Sequence, residues 1–173
     1  MSRAIRLVMI LGILAGTAGC DQVTKHFARR ELRQAGVVVG PGRMVEFTLA
    51  ENPGAFLSLG ASLPQGVRDG FAVCLSVGLL CLLAYLVRVQ KLRLIAFLGL
   101  ALIWAGGMSN LFDRFARHGL VTDFVILRVG PVHTGIFNLA DLAIVVGMVM
   151  VVLGMGVKGG SGKTESKTLN AEH

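Results

Sequence analysis

The sequence predicts an all-α membrane protein: four transmembrane helices carrying a small extracytoplasmic β-sheet and a short interfacial helix. Three observations predict it: how apolar the chain is, where its apolar runs fall, and one connecting stretch patterned for strands. Of 173 residues, 54% are hydrophobic and 16% charged. The mean hydropathy of +0.71 is well above that of a soluble domain of this length. A helix needs roughly 17 to 25 mostly apolar residues to cross hydrocarbon, and four runs are candidates: residues 5–20, 71–87, 92–111 and 136–157.

The first run is the shortest. It follows Arg3 and Arg6 and ends on "TAGC", a small-residue box before Cys20 like that at which bacterial lipoproteins are lipidated and cut. Removing it would leave three spans, and a lipid on Cys20 would add almost nothing to a chain already held by helices. The expectation is therefore a retained helix, with Cys20 neither lipidated nor cut. After it, "TKHFARRELRQ" has helical propensity and alternating charge, as for a helix emerging at the membrane surface. Residues 37–39 and 44–49 are β-branched or alternating runs parted by Gly40, Pro41 and Gly42, which reads as two short strands and a turn. "GAFLSLGASLP" suits a short helix or loop in the interface, with Phe56, Leu57 and Leu59 toward lipid.

The second run, "FAVCLSVGLLCLLAYLV", carries no charge. The connection after it holds Arg88, Lys91 and Arg93, the start holds Arg3 and Arg6, and the tail holds Lys158, Lys163 and Lys167. Short basic segments stay inside, so both termini are expected to be cytoplasmic. The segment 22–70 is basic too, but long connections count for less. Residues 1–157 read as one transmembrane domain, with the sheet inside about 22–70, and 158–173 as a polar, glycine-rich, disordered cytoplasmic tail.

The formal charge of +7 fits attraction to anionic lipid headgroups, and no interleaving of basic and aromatic residues suggests nucleic acid. Cys20, Cys74 and Cys81 make neither a disulfide framework nor a metal knuckle. His26, His118, His133 and His173 lack metal-ligand spacing, so no metal and no cofactor are expected. The serines lack a nucleophile setting.

Polar residues within or beside spans are costly and usually face a protein interior or a wet cavity. Asp21 and Lys25, at i and i+4, are either a helix-end ion pair or the mouth of a site. Asn52 and Gly54, in "ENPGAF", make a plain turn or a loop bringing amide donors to a peptide. Asn110, Asp113 and Arg114, in "SNLFDR", share a helical face, where Asp113 and Arg114 can simply neutralise each other. Asp123 lies in the strand-like "LVTDFVIL", and Asp141 follows Asn138 by three residues at the start of the fourth span. Two close carboxyls share a proton, so one can draw a proton from water while the other donates to a carbonyl oxygen. The rival from another class is a carboxylate-based transporter or proton relay, which would favour internal repeats that are not visible.

Taken together, "DQVTK", "ENPGAF", "SNLFDR", "VTDF" and "FNLAD" resemble, in order and spacing, the motifs of the lipoprotein signal peptidase family, signal peptidase II. The resemblance implies an aspartic endopeptidase of the bacterial inner membrane, multi-pass, with its site near the outer face. Its substrates would be diacylglyceryl-modified prolipoproteins, cut on the N-terminal side of the lipidated cysteine, and its partners membrane lipids, with the enzyme a monomer. It implies Asp123 and Asp141 as the catalytic dyad, and Asp21, Lys25, Asn52, Gly54, Asn110, Arg114 and Asn138 as residues that bind substrate or support the dyad. The family's outer β-cradle would correspond to the strands within 37–49. Two positions depart from the family pattern: Ser109, where glycine is common, and one extra residue between Arg114 and Asp123.

Overall fold

The computed structural model describes residues 2–53, 64–89 and 92–156. Gly54, the segment around Phe56 expected at the interface, and the tail 158–173 lie outside the described residues. Among the described residues one α-helix, two strands, two α-helices, two strands and a last α-helix follow one another along the chain.

Helix α1, Arg3–Ala35, is continuous for 33 residues. The hydroxyl of Ser2 accepts from the Ile5 amide at 3.3 Å at one end, and Gly36, at φ 70°, closes the other by donating to the Leu32 carbonyl. At a rise of 1.5 Å per residue such a helix is about 50 Å long, against about 30 Å of hydrocarbon. The "TKHFARRELRQ" stretch is helical, as expected, and continues α1 without a break. On this end Ala28 and Leu32 pack with Phe124 into a small apolar core, flanked by Phe47, Leu49 and Val125.

The core joins α1 to an antiparallel sheet in the order β1-β2-β3-β4: Val38–Val39, Val45–Asn52, Val121–Val129 and Val132–His133. A turn of 3-10 helix, Pro41–Arg43, joins the first two strands, with Gly42 and Arg43 both at positive φ. The expected strands are present, and β2 runs three residues further, through Asn52. The expected boundary of the sheet needs correcting: residues 22–35 are helix, and β3 and β4 come from the connection before the last helix. A strand of alternating type such as "VTDFVIL" needs a partner with free backbone groups, and β2 supplies it. Across that pair Arg128 forks onto Glu46, with Nε to Oε1 at 2.7 Å and Nη2 to Oε2 at 3.0 Å.

Helices α2 (Gln65–Val89), α3 (Leu94–Ala116) and α4 (Leu139–Gly156) complete the bundle, with α3 packed against the other three. Among the described residues α1 and α3 are long and apolar enough to cross a membrane, and Leu139–Met155 is a shorter apolar helix. Antiparallel α3 and α4 touch backbone to backbone through small residues: Ala96 meets Gly154, Gly99 meets Gly147, and Gly106 meets Ala140. Such close approach is how helices gain packing where lipid offers no hydrophobic drive.

A β-carbon at Gly99 would stand 2.6 Å from the Gly147 carbonyl oxygen, whereas one at Gly12 would meet nothing within 4 Å. Gly99→Ala is expected to destabilise the fold by about 1–3 kcal/mol, the scale of overpacking, and Gly12→Ala to leave it unchanged. Thermal unfolding in detergent micelles checks both.

Candidate active site

The site lies where the C-terminal half of α1, the end of α3, the start of α4 and the β2·β3 pair converge. Its base is Lys25. The ammonium has no exposed surface and donates to Asp21 Oδ2 at 2.7 Å, Asp113 Oδ2 at 2.9 Å and Asn110 Oδ1 at 2.8 Å. An ammonium has three donors and no acceptor, so all its capacity is used. Asp21 also accepts from Ser109 Oγ at 2.7 Å and, through Oδ1, from the Ala140 amide at 2.9 Å. That bond satisfies a free N–H at the start of α4, where a negative charge suits the helix dipole. Gln22 donates to both Ser109 and Asp113 at 3.0 Å.

Because Lys25 can only donate, the oxygen of the Asn110 amide must face it, which turns the amide nitrogen outward. That nitrogen donates to Asp141 Oδ1 at 2.8 Å. Asn138 and Asp141 then form a reciprocal cap on α4: the Asp141 amide donates to Asn138 Oδ1 at 2.9 Å, and the Asn138 amide to Asp141 Oδ2 at 3.2 Å. This is the capping-box arrangement with Asn and Asp in its two places. The Asn138 side-chain nitrogen is left free to donate to Asp123 Oδ1 at 2.6 Å. One residue therefore holds both carboxylates, one through its backbone and one through its side chain.

Asp123 is a buried residue of β3, and its other oxygen accepts from Asn52 Nδ2 at 3.0 Å. In the β2·β3 register Ala50 faces Asp123 and Asn52 faces Val121, so Asn52 and Asp123 share a face of the sheet one step apart. Burial, reinforced by the negative charge of Asp141, pushes the Asp123 carboxyl up from 3.8 to about 6, against the opposing pull of the Asn52 and Asn138 hydrogen bonds. Arg114 donates to the carbonyl of Asn110 at 3.2 Å, and its charge acts on both Asp141 and Asp123. Beside Asp141 an apolar cleft of about 380 Å³ is walled by Leu127, Ile136, Phe137, Leu142 and Val145. No cluster able to hold a metal ion occurs among the described residues.

The sequence and the fold both have counterparts. The family model described as signal peptidase (SPase) II matches residues 13–157. The chain belongs to the signal peptidase II family. A lipoprotein signal peptidase of Desulforapulum autotrophicum is 43% identical over 150 residues, covering 86% of this chain and 90% of the relative. Those of Moorella thermoacetica and Pseudomonas aeruginosa are 35% and 36% identical, over 84% and 78% of this chain and 88% and 80% of their own. Two solved structures, both titled as bacterial membrane enzymes determined by the in meso method, share the fold with TM-scores of 0.72 at 20% and 19% identity. The first covers 99% of this chain and 95% of its own, and the second 91% and 96%.

Of the residues expected at a signal peptidase II site, Asp21, Lys25, Asn52, Asn110, Asn138, Asp123 and Asp141 are linked by hydrogen bonds, and Arg114 lies beside them. Asp113, for which neutralising Arg114 was one reading, makes its ion pair with Lys25, since adjacent side chains on a helix diverge, and acts on Arg114 only through its charge. Sequence reasoning missed Gln22, Ser109 and Thr122. Ser109 and Asp113 are four residues apart on α3, a spacing that marks one face, but nothing local marks Thr122, whose place follows from strand register.

The raised Asp123 pKa has a signed consequence. The folded chain holds this proton more tightly than the unfolded chain, so the group favours folding at low pH, and that contribution is lost as pH rises from about 4 through about 6. Asp123→Asn cannot ionise. Its unfolding temperature in micelles, relative to the native sequence, should therefore rise between about pH 4 and about pH 7; a constant difference would contradict the burial effect.

Proposed function

We propose that this chain is a membrane aspartic endopeptidase that removes signal peptides from diacylglyceryl-modified prolipoproteins, cutting on the N-terminal side of the lipidated cysteine. Asp123 and Asp141 are its catalytic pair. The observation that carries the assignment is the grip of Asn138 on both carboxyls, which holds them as one unit. With one proton between them, the ionised carboxylate takes a proton from water as the water oxygen attacks the scissile carbonyl carbon. The protonated partner gives its proton to the carbonyl oxygen. On collapse the C–N bond breaks, the carbonyl re-forms, and the amine nitrogen of the cysteine leaves with a proton returned by the pair.

Asn138 and Asn110 orient the dyad, and Lys25 and Asp21 hold Asn110 and the start of α4 in place. Asn52, Gly54 and Arg114 grip the substrate backbone, Asn52 doing so while bonded to Asp123. The apolar cleft beside Asp141 suits the hydrophobic segment of a signal peptide, and its position at the ends of the helices suits a scissile bond held at the membrane edge while acyl chains stay in lipid. All four helices span the bilayer of the bacterial inner membrane in a single domain, residues 1–157, that works as a monomer among membrane lipids. The sheet and site face outward, where α1 ends, α3 ends and α4 begins. Both termini and the basic 88–93 connection then lie in the cytoplasm, in keeping with the distribution of Lys and Arg.

Cys20 immediately precedes the buried Asp21 in the middle of an unbroken helix, which supports retention of the N-terminal run. Asp123→Asn and Asp141→Asn should each lower processing of a lipidated prolipoprotein at least about a thousandfold while keeping a cooperative unfolding transition; processing at the native rate by either variant removes the dyad assignment. Intact-mass spectrometry of purified protein should find Arg3 and Arg6 still attached and no lipid on Cys20.

A further inference from the structure

The β2·β3 ladder is not continuous. Pairing runs from Val45 to Phe47, shifts register, and resumes only for Ala50, Glu51 and Asn52 against Asp123, Thr122 and Val121. The three pairs that bring Asn52 to Asp123 are thus separated by an irregularity from the other three, and their register must be held locally.

On the face away from Asp123, two contacts act on these pairs. Arg29 Nη1 of α1 donates to Thr122 Oγ1 at 3.0 Å, and Arg117 Nη2 donates to Glu51 Oε1 at 2.6 Å. Arg117 caps the C-terminus of α3, three residues before the turn delivers the chain to β3. That turn holds His118 and Gly119 at φ 54° and 88°, left-handed backbone directly after Arg117. The ion pair therefore ties the last turn of α3 to the residue directly before Asn52. Being partly exposed, with 25% and 30% of its side chains accessible, it adds little to global stability. What it restrains is local.

We propose that Glu51 and Arg117 are positioning residues for the peptidase reaction, forming a latch on the reverse face of the sheet that holds Asn52 against Asp123. The latch rests on the role given above to Asn52. Removing it leaves the dyad and the apolar cleft, where most of the substrate binds, in place; it lets Asn52 drift from Asp123 and from the backbone at the scissile bond, contacts used in the transition state, so the loss falls on kcat.

The test uses the full-length protein in micelles with a synthetic diacylglyceryl-modified prolipoprotein peptide. Glu51→Ala is expected to lower kcat about tenfold with KM and the unfolding temperature unchanged, and to have no further effect when combined with Asn52→Ala. The exchanged pair, Glu51→Arg with Arg117→Glu, should recover most of the activity that either reversal alone destroys. Native kcat in Glu51→Ala beside a crippled Asn52→Ala would overturn the latch alone; native kcat in Asn52→Ala would overturn the role of Asn52 and the latch with it. A loss in Glu51→Ala that follows a fall in unfolding temperature, or that multiplies fully with that of Asn52→Ala, would overturn the latch as well.

Discussion

The site depends on one buried ammonium. Lys25 is flanked by Asp21 and Asp113, and removing Lys25 would strand two carboxylates where water cannot reach them. The ammonium does more than offset their charge. Because Lys25 can only donate, it dictates which way the Asn110 amide points, and Asn110 in turn dictates the orientation of Asp141. Orientation thus passes from a buried charge to one carboxylate of the proposed catalytic pair. Arg29, Arg117 and Glu51 continue the pattern outward, so three cations and three carboxylates balance along α1, α3 and β2.

A second constraint is the dual use of Asp141. In the first turn of α4 a carboxylate is worth having for the helix alone, since it satisfies a free amide and meets the positive end of the dipole. The geometry that caps the helix is the one that presents the group to Asp123. Stability and reactivity coincide at this position and oppose each other at Asp123, whose burial makes its charged form costly. Two aspartates with unlike surroundings are what a shared-proton mechanism requires.

Much of this was legible in the sequence. Apolar runs mark the helices, because lipid demands length and composition that can be counted. The i, i+4 pair Asp21 and Lys25 and the i, i+3 pair Asn138 and Asp141 declare shared helical faces, and the order of five motifs identifies the family. What stayed hidden is whatever depends on contact between distant segments. Whether Asp113 turns to Arg114 or Lys25 is decided by which helix lies opposite. That β3 belongs to the sheet begun by residues 38–52 is decided by hydrogen-bonding partners some 70 positions away, and Thr122 acquires its importance only through that pairing. The reach of α1 beyond its apolar run was readable as helix propensity, and its unbroken course over 33 residues is what the structure adds.

The bond from the Ala140 amide to Asp21 spans 119 positions of chain. Ribosomes release chains from the N-terminus, so Asp21 and Lys25 reach the bilayer long before their partners do, and the first helix must wait there with a charge pair that only later helices can enclose. The proposed reactive set includes residues 110, 123, 138 and 141, so no chain that ends before residue 141 contains it. A hydrolase synthesised in the same membrane as its substrates is thereby inert until its own biogenesis is complete.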